Sequence, residues 1–419
     1  MNKLAERVLY LYVIGSLITT EVFALDLGFV HLGINRLLLP VLLLLCIARA
    51  VSDKENRLGR LTFPRQDNTY MLLFFVFWFC YAFLSLLWAS DKAAWARGSF
   101  LLFTGITAVI SFSLFTKSVD QIKTMLVFVT VFTMLHVFIG LNEMLTGNYQ
   151  WLIPKDIAAH ALNHCPASCF TGVNDYALVI VIGFYSALAC VSFAATKRSR
   201  FWAKVSAVIF FAMCIATRSR ANVMGVFLSG FVMSFFYKNA RRTVRKIVLS
   251  ALVAFFTLLV INVAFREFVI ALARELFTVD THSGGSDTIR LELIKNGFVF
   301  LKDHLLLGTG IGNIEYQMAE IGSVQGITNI HNWWMEILVS SGIFVFLGYL
   351  LFYGKLTLDM LRLSKKSDNS AVRGIAEAFF GFLIAFVIAC ISSSSNLGSE
   401  IVWTFFAIMI AFDKAASEQ

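Results

Sequence analysis

His331, in the string NIHNWWMEIL, and the arginines Arg36, Arg97, Arg218 and Arg220 are the residues whose types and places suggest chemistry. An imidazole titrates near neutral pH, at about 6.5 when unperturbed, and so suits the role of proton acceptor for an attacking hydroxyl. A guanidinium offers phosphate a planar, bidentate and permanently charged fork. A cluster of them at membrane depth therefore suits a diphosphate headgroup, since ionisable residues are costly there and mark sites by default. Each also has a plainer reading. Trp333 and Trp334 are natural membrane-interface anchors, which would make His331 incidental to an aromatic belt. Arg36, Arg97 and Arg218 read equally as anchors whose stems lie in lipid while the heads reach water.

Other chemistry-bearing residues carry weaker signals. Cys165 and Cys169 follow His160 and His164 in HALNHCPASC, an arrangement open to zinc, to a local disulfide or to two thiols. The spacing is not that of a common zinc module, and no metal or cofactor is expected. The remaining cysteines, Cys46, Cys80, Cys190, Cys214 and Cys390, fall in apolar stretches and read as small buried hydrophobes. His136 lies in mid-span, where bonding to a neighbouring helix is the usual fate, while His282 and His304 have no visible partner. GTGIGN, Gly308 to Asn313, lacks both the dinucleotide-fingerprint spacing and the Lys-Ser/Thr of a phosphate loop, and reads as a tight turn.

The elements that must position these residues are membrane helices. Of the 419 residues 58% are hydrophobic and 15% charged, with 42 Phe and 4 Pro. Soluble domains carry about 25% charged residues, so a soluble enzyme, a disordered tail and a disulfide-stapled secreted domain are excluded. A spanning helix takes about 20 mostly apolar residues. About twelve stretches qualify on that criterion: near 7–25, 29–49, 70–88, 98–115, 122–142, 174–195, 201–216, 221–237, 247–265, 333–353, 374–392 and 400–413. The expected fold is all-α and polytopic, one membrane domain over residues 1–419.

The net charge of +9 is a topology signal. With the N-terminus cytoplasmic, the inner connections hold Lys54, Arg57, Arg60 and Arg65, then Lys197, Arg198, Arg200 and Lys204. Lys238, Arg241, Arg242, Arg245 and Lys246 follow in the next, the excess of inner cations that sets orientation. Nucleic acid is therefore not an expected partner. Both termini come out cytoplasmic, and two long loops, 143–173 and 266–332, come out external. The second holds two amphipathic stretches, Arg266–Phe277 and Thr288–Leu301, as a helical cap. A loop of that size among short connections is usually functional.

Four strings, in order, resemble the O-antigen ligase and Wzy-type polymerase superfamily of bacterial membrane glycosyltransferases. They are SCFTGVNDYAL (168–178), TRSRANVMG (217–225), RLELIKNGFVFLKDHLLLGTGIGN (290–313) and HNWWMEILVSSGIFVFLGYL (331–350). The resemblance covers nearly half of the chain, and Leu305 departs from the Pro that many members carry after the Asp-His pair.

The resemblance implies inverting transfer of a glycan from an undecaprenyl-diphosphate carrier to a saccharide hydroxyl, without metal. The protein would lie in a bacterial inner membrane, with the site on its outer side. By matching strings, Arg220 and Arg290 would grip the diphosphate and His331 would serve the acceptor. Arg218, Arg36 and Arg97 are electrostatic candidates only. Asn174, Asp175 and Asn332 would position the acceptor or the structure. The wording around His331 favours a polymerase, whose acceptor is another lipid-linked glycan, over a ligase that uses lipid A-core. A carrier-lipid flippase is the rival of another class, but neither the inverted repeats nor the paired broken helices of transporters are visible. A purely structural scaffold would leave the external arginines unexplained.

Overall fold

The computed structural model describes residues 2–18, 22–26, 31–52, 69–149, 165–237, 266–267, 270, 286–321, 324 and 326–417. Every described stretch that is apolar over about 20 residues winds into a helix, as it must where lipid offers no hydrogen bonds. In chain order these are α1 (Asn2–Leu17), α2 (Ile34–Ser52), α3 (Thr69–Leu84), α4 (Lys92–Phe115) and α5 (Val119–Thr146). After them come α6 (Val173–Phe193), α7 (Lys197–Ala216) and α8 (Arg220–Phe236). The chain is completed by α9 (Ser286–Asp303), α10 (Ile314–Glu320), α11 (Trp333–Lys366), α12 (Ser370–Ala389) and α13 (Glu400–Ser417). Among the described residues 7 helices are long and apolar enough to cross a membrane, and α8 is a shorter apolar one. The protein is an all-α, multi-pass membrane protein. The candidate span near 247–265 and most of the stretch 266–277 lie outside the described residues.

The first two candidate spans differ from expectation at their facing ends. Helix α1 stops at Leu17 and α2 starts at Ile34, and two three-residue strands, β1 (Ala24–Asp26) and β2 (His31–Gly33), pair antiparallel between them. The ladder gives these backbone groups the partners that a continued helix would have supplied.

Helix α13 lies at the centre. Ile401 through Phe412 are all buried, and the helix packs on α4, α1, α5 and α11. A helix that is apolar all round belongs inside a bundle. Around it, α6 packs on α7, α12 and α5, and α12 packs on α8 and α11. A second apolar cluster joins α9 and α10 to the first half of α11 through Leu293, Phe300, Ile314, Met318, Met335 and Val339. Arg290 sits one turn before the buried Leu293, on the side of α9 that faces α11.

The glycine turn 308–312 docks into a break in α11. At Gly342 the backbone leaves helical geometry (φ 76°, ψ 178°), which releases hydrogen-bonding groups of the preceding turn. Thr309 N–H donates to Val339 O at 2.8 Å and Gly310 N–H to Ser340 O at 3.1 Å, while Ile343 N–H donates to Leu306 O at 3.0 Å. GTGIGN is thus a packing device, and no nucleotide reading is needed. A Cβ on Gly342 would stand 2.4 Å from Leu307 O, in a conformation that L-residues rarely adopt. Gly342→Ala is therefore expected to lower the melting temperature of the detergent-solubilised protein, at a cost of about 1–3 kcal/mol. Gly230→Ala, where a Cβ meets nothing within 4 Å, serves as the control and should leave it unchanged or higher.

Candidate functional site

The N-termini of α6 and α8 lie side by side, tied by amides and hydroxyls. Asn174 Oδ1 accepts from the Ser219 hydroxyl at 2.7 Å, and Asn222 Nδ2 donates to Ser219 Oγ at 2.9 Å. This cross-tie places Arg220, the first residue of α8 and half-buried, next to the turn that carries Asn174 and Asp175. A cation at a helix N-terminus opposes the helix dipole, and an anion at the same place relieves the conflict. Arg218 occupies the turn before α8 with a left-handed φ of 54° and an exposed side chain.

A serine-rich loop between α12 and α13 reaches the same place. Ser394 donates to Asp175 twice, through its N–H to Oδ1 at 2.9 Å and through its hydroxyl to Oδ2. Ser395 donates its hydroxyl to Glu336 Oε1, and Asn396 Nδ2 donates to Ser393 Oγ at 2.8 Å. Asn222 Nδ2 also reaches Ser392 Oγ, at 3.5 Å. Reading the sequence missed this loop. Its one signal was SSSSN, a run of hydroxyls and an amide at the end of an apolar stretch.

His331 stands at the meeting point. Its backbone is left-handed, φ 48°, a conformation uncommon outside glycine, though less so for histidine, asparagine and aspartate, and often found at functional sites. Its N–H donates to Asn329 Oδ1 at 2.8 Å, and Asn329 Nδ2 donates in turn to Glu315 Oε1 at 2.9 Å. Asn332 caps α11 by accepting from Met335 N–H at 3.2 Å. The ring Nδ1 is buried and has no hydrogen-bond partner among the described residues. Burial, and then the neighbouring Arg290 charge, push the imidazole pKa below its ordinary value, against the opposing pull of Asp175, the Ser393 backbone and Glu315. The shift favours the neutral ring, the form that accepts a proton.

Arg290 and Asp175 are therefore each within electrostatic reach of His331, and Arg220 follows Ser219, which bonds the Asn174 that precedes Asp175. The aromatic-belt reading of Trp333 does not hold. Trp333 is 4% exposed, its N–H donates to Cys390 O at 3.1 Å and its indole donates to the Tyr349 hydroxyl at 2.9 Å. It anchors the histidine segment inside the bundle.

Arg36 and Arg97 have other surroundings. Arg36 Nε lies 3.1 Å from Glu400 Oε1, with side-chain exposures of 10% and 12%, so its guanidinium already faces a carboxylate. Arg97 lines a cavity of about 460 Å³ with Asp91, Glu315, Tyr316, Asn329 and Glu336. A second cavity, of about 310 Å³, lies against Asp175, Ser394, Asn396, Ser399 and Glu400. Asn329 and Ser395 border both.

The other candidates are structural. His136 bonds Ser168 Oγ at 3.0 Å and Leu17 O at 2.7 Å, tying α5 to the end of α1. His304 bonds Phe300 O at 2.8 Å and Gln317 at 3.1 Å, partners that only folding brings near. Among the described residues no disulfide joins Cys165 to Cys169, and both are buried. His160, His164 and His282 lie outside the described residues.

Residues 205–350 match the family model of the O-antigen ligase domain Wzy_C. The teichuronic acid biosynthesis protein TuaE of Bacillus subtilis (strain 168) is 26% identical over 414 residues, 98% of this chain and 84% of that protein. The resemblance to the O-antigen ligase and polymerase superfamily holds. The matched segment contains Arg218, Arg220, Arg290, His331 and Asn332, while Asn174 and Asp175 precede it and join it through the bonds above. The departure from the superfamily's pattern at Leu305 has a physical basis. Leu305 has a φ of 51° and donates its N–H to Lys302 O at 3.0 Å, and proline permits neither.

Proposed function

We propose that the chain is a polymerase-type membrane glycosyltransferase that moves a glycan from an undecaprenyl-diphosphate carrier to a saccharide hydroxyl on another lipid-linked glycan. The family match and the relative support surface-polysaccharide assembly of the polymerase or ligase type. A relative named for teichuronic acid biosynthesis favours polymer formation over attachment to lipid A-core. The observation that carries the reading is the grouping of a half-buried His331, its pKa lowered by burial, with Arg290 and Asp175 inside the matched and adjoining segments.

The chemistry asks for those residue types. The acceptor hydroxyl gives its proton to the His331 ring while its oxygen bonds to the anomeric carbon. The bond from that carbon to the diphosphate oxygen breaks, and the electron pair leaves with the diphosphate. One displacement inverts the anomeric configuration. Arg220 and Arg290 would meet the charge that develops on the leaving group, in surroundings where a fixed cation acts far more strongly than in water. In this reading residues 1–419 form one membrane domain of the bacterial inner membrane. Both termini are cytoplasmic, and the loops 143–173 and 266–332 close the site on the outer face.

The test is a purified, full-length protein in lipid nanodiscs given radiolabelled carrier-linked repeat units. A ladder of longer lipid-linked glycans is the expected product. Products that form only when lipid A-core is supplied would replace the polymerase by a ligase, and no transfer with any lipid-linked glycan would remove the reading.

A further inference from the structure

The 310 Å³ cavity has a composite lining. Asp175 and Glu400 contribute carboxylates, Asn329 and Asn396 amides, and Ser394, Ser395 and Ser399 hydroxyls, while Phe170, Leu178, Val179 and Val402 supply an apolar side. Both carboxylates are already engaged, Asp175 by Ser394 and Glu400 by Arg36. The cavity therefore presents hydrogen-bonding groups, with Glu400 paired to Arg36 and Asp175 held by Ser394, together with apolar and aromatic surface. Its size falls at the lower end of small-ligand sites, about 300–1,000 Å³. A pyranose has the matching anatomy, with hydroxyls around its edge and C–H groups on its faces. A diphosphate does not, because it needs cations, and Arg290, the cation that acts on His331, comes from α9, outside this lining.

The cavity also adjoins the reacting group. Asn329 lines it and accepts the His331 N–H, and Ser394, which lines it too, follows the Ser393 backbone that faces the His331 ring. We infer that this cavity is the subsite for the acceptor saccharide, holding a neutral sugar so that its hydroxyl meets His331 on the side away from the diphosphate. The inference rests on the transferase reading, and it assigns the serine loop a second task. The loop both steadies Asp175 and forms one wall of the sugar site.

The test reads binding separately from transfer. The probe is tritiated repeat-unit oligosaccharide, released by mild acid from the carrier-linked glycan of the source cells, titrated against the full-length protein in nanodiscs. Ser399→Phe fills the cavity and Thr171→Trp covers its exposed rim. Both are expected to weaken binding of the oligosaccharide by about tenfold or more, as when a ligand loses hydrogen bonds within a desolvated site. Arg220→Ala and Arg290→Ala should bind it as the wild type does. A wild type that binds no oligosaccharide, occluding variants that bind it normally, or arginine variants that lose it equally would each overturn the assignment. Binding that persists in a protein without transfer would instead remove the transferase reading and leave the sugar site standing.

Discussion

His331→Ala is expected to lower the rate of glycan transfer by about 10²- to 10⁴-fold, the usual contribution of a positioned general base. The protein should remain folded, because the substitution removes from the ring only its contact with the Ser393 backbone, while the backbone N–H that bonds Asn329 survives. Loss of a left-handed histidine in favour of alanine adds some backbone strain, so the melting temperature should be measured beside the rate. His331→Gln keeps hydrogen bonding without a group that titrates near neutrality, and should be nearly as inactive. Transfer at the wild-type rate in both variants would take His331 out of the mechanism. The wild-type pH profile supplies an independent check. Burial and Arg290 lower the imidazole pKa, so the acid limb of kcat/KM should fall below the ordinary histidine value of about 6.5. The unfolded chain takes up this proton more readily than the folded one, so folding stability also declines as pH falls through that range.

Arg290→Ala is the second large effect. If the guanidinium meets charge that develops only as the diphosphate departs, kcat should fall by about 10²- to 10³-fold, or about 2.7–4 kcal/mol of barrier, with a smaller change in KM. The same substitution carries a signature that a merely structural role would not produce. Arg290 is one of the causes that hold the His331 pKa down, so removing its charge lets that pKa rise and shifts the acid limb of the residual activity to higher pH. Arg290→Lys retains a positive charge but not the bidentate fork, and should recover the limb's position with only part of the rate. A rate loss with an unmoved limb would separate Arg290 from the histidine. Unchanged kcat would separate it from the leaving group.

Much of this protein could be read along the chain because membrane physics acts locally. Stretches such as 98–115 and 374–392 had to be helical in lipid, since each must satisfy its own backbone, and Lys and Arg at the ends of spans follow a rule of position. His331, Arg220 and Arg290 could be singled out because each lies in a short string with neighbours of recognisable type. The sequence by itself therefore determined the fold class and offered a short roster of candidate side chains.

The tertiary structure decided which of those side chains meet, and what each already binds. Asp175 and Ser394 are 219 positions apart, and nothing local in either string foretells their double hydrogen bond. Arg36 is as cationic as Arg290 on paper, yet the first pairs with Glu400 and the second acts on His331. Trp333 has the composition of an interface anchor and the burial of a core residue. In each case the deciding quantity is a contact between helices remote in sequence. Such contacts follow from how apolar faces pack around α13, which no single stretch of chain encodes.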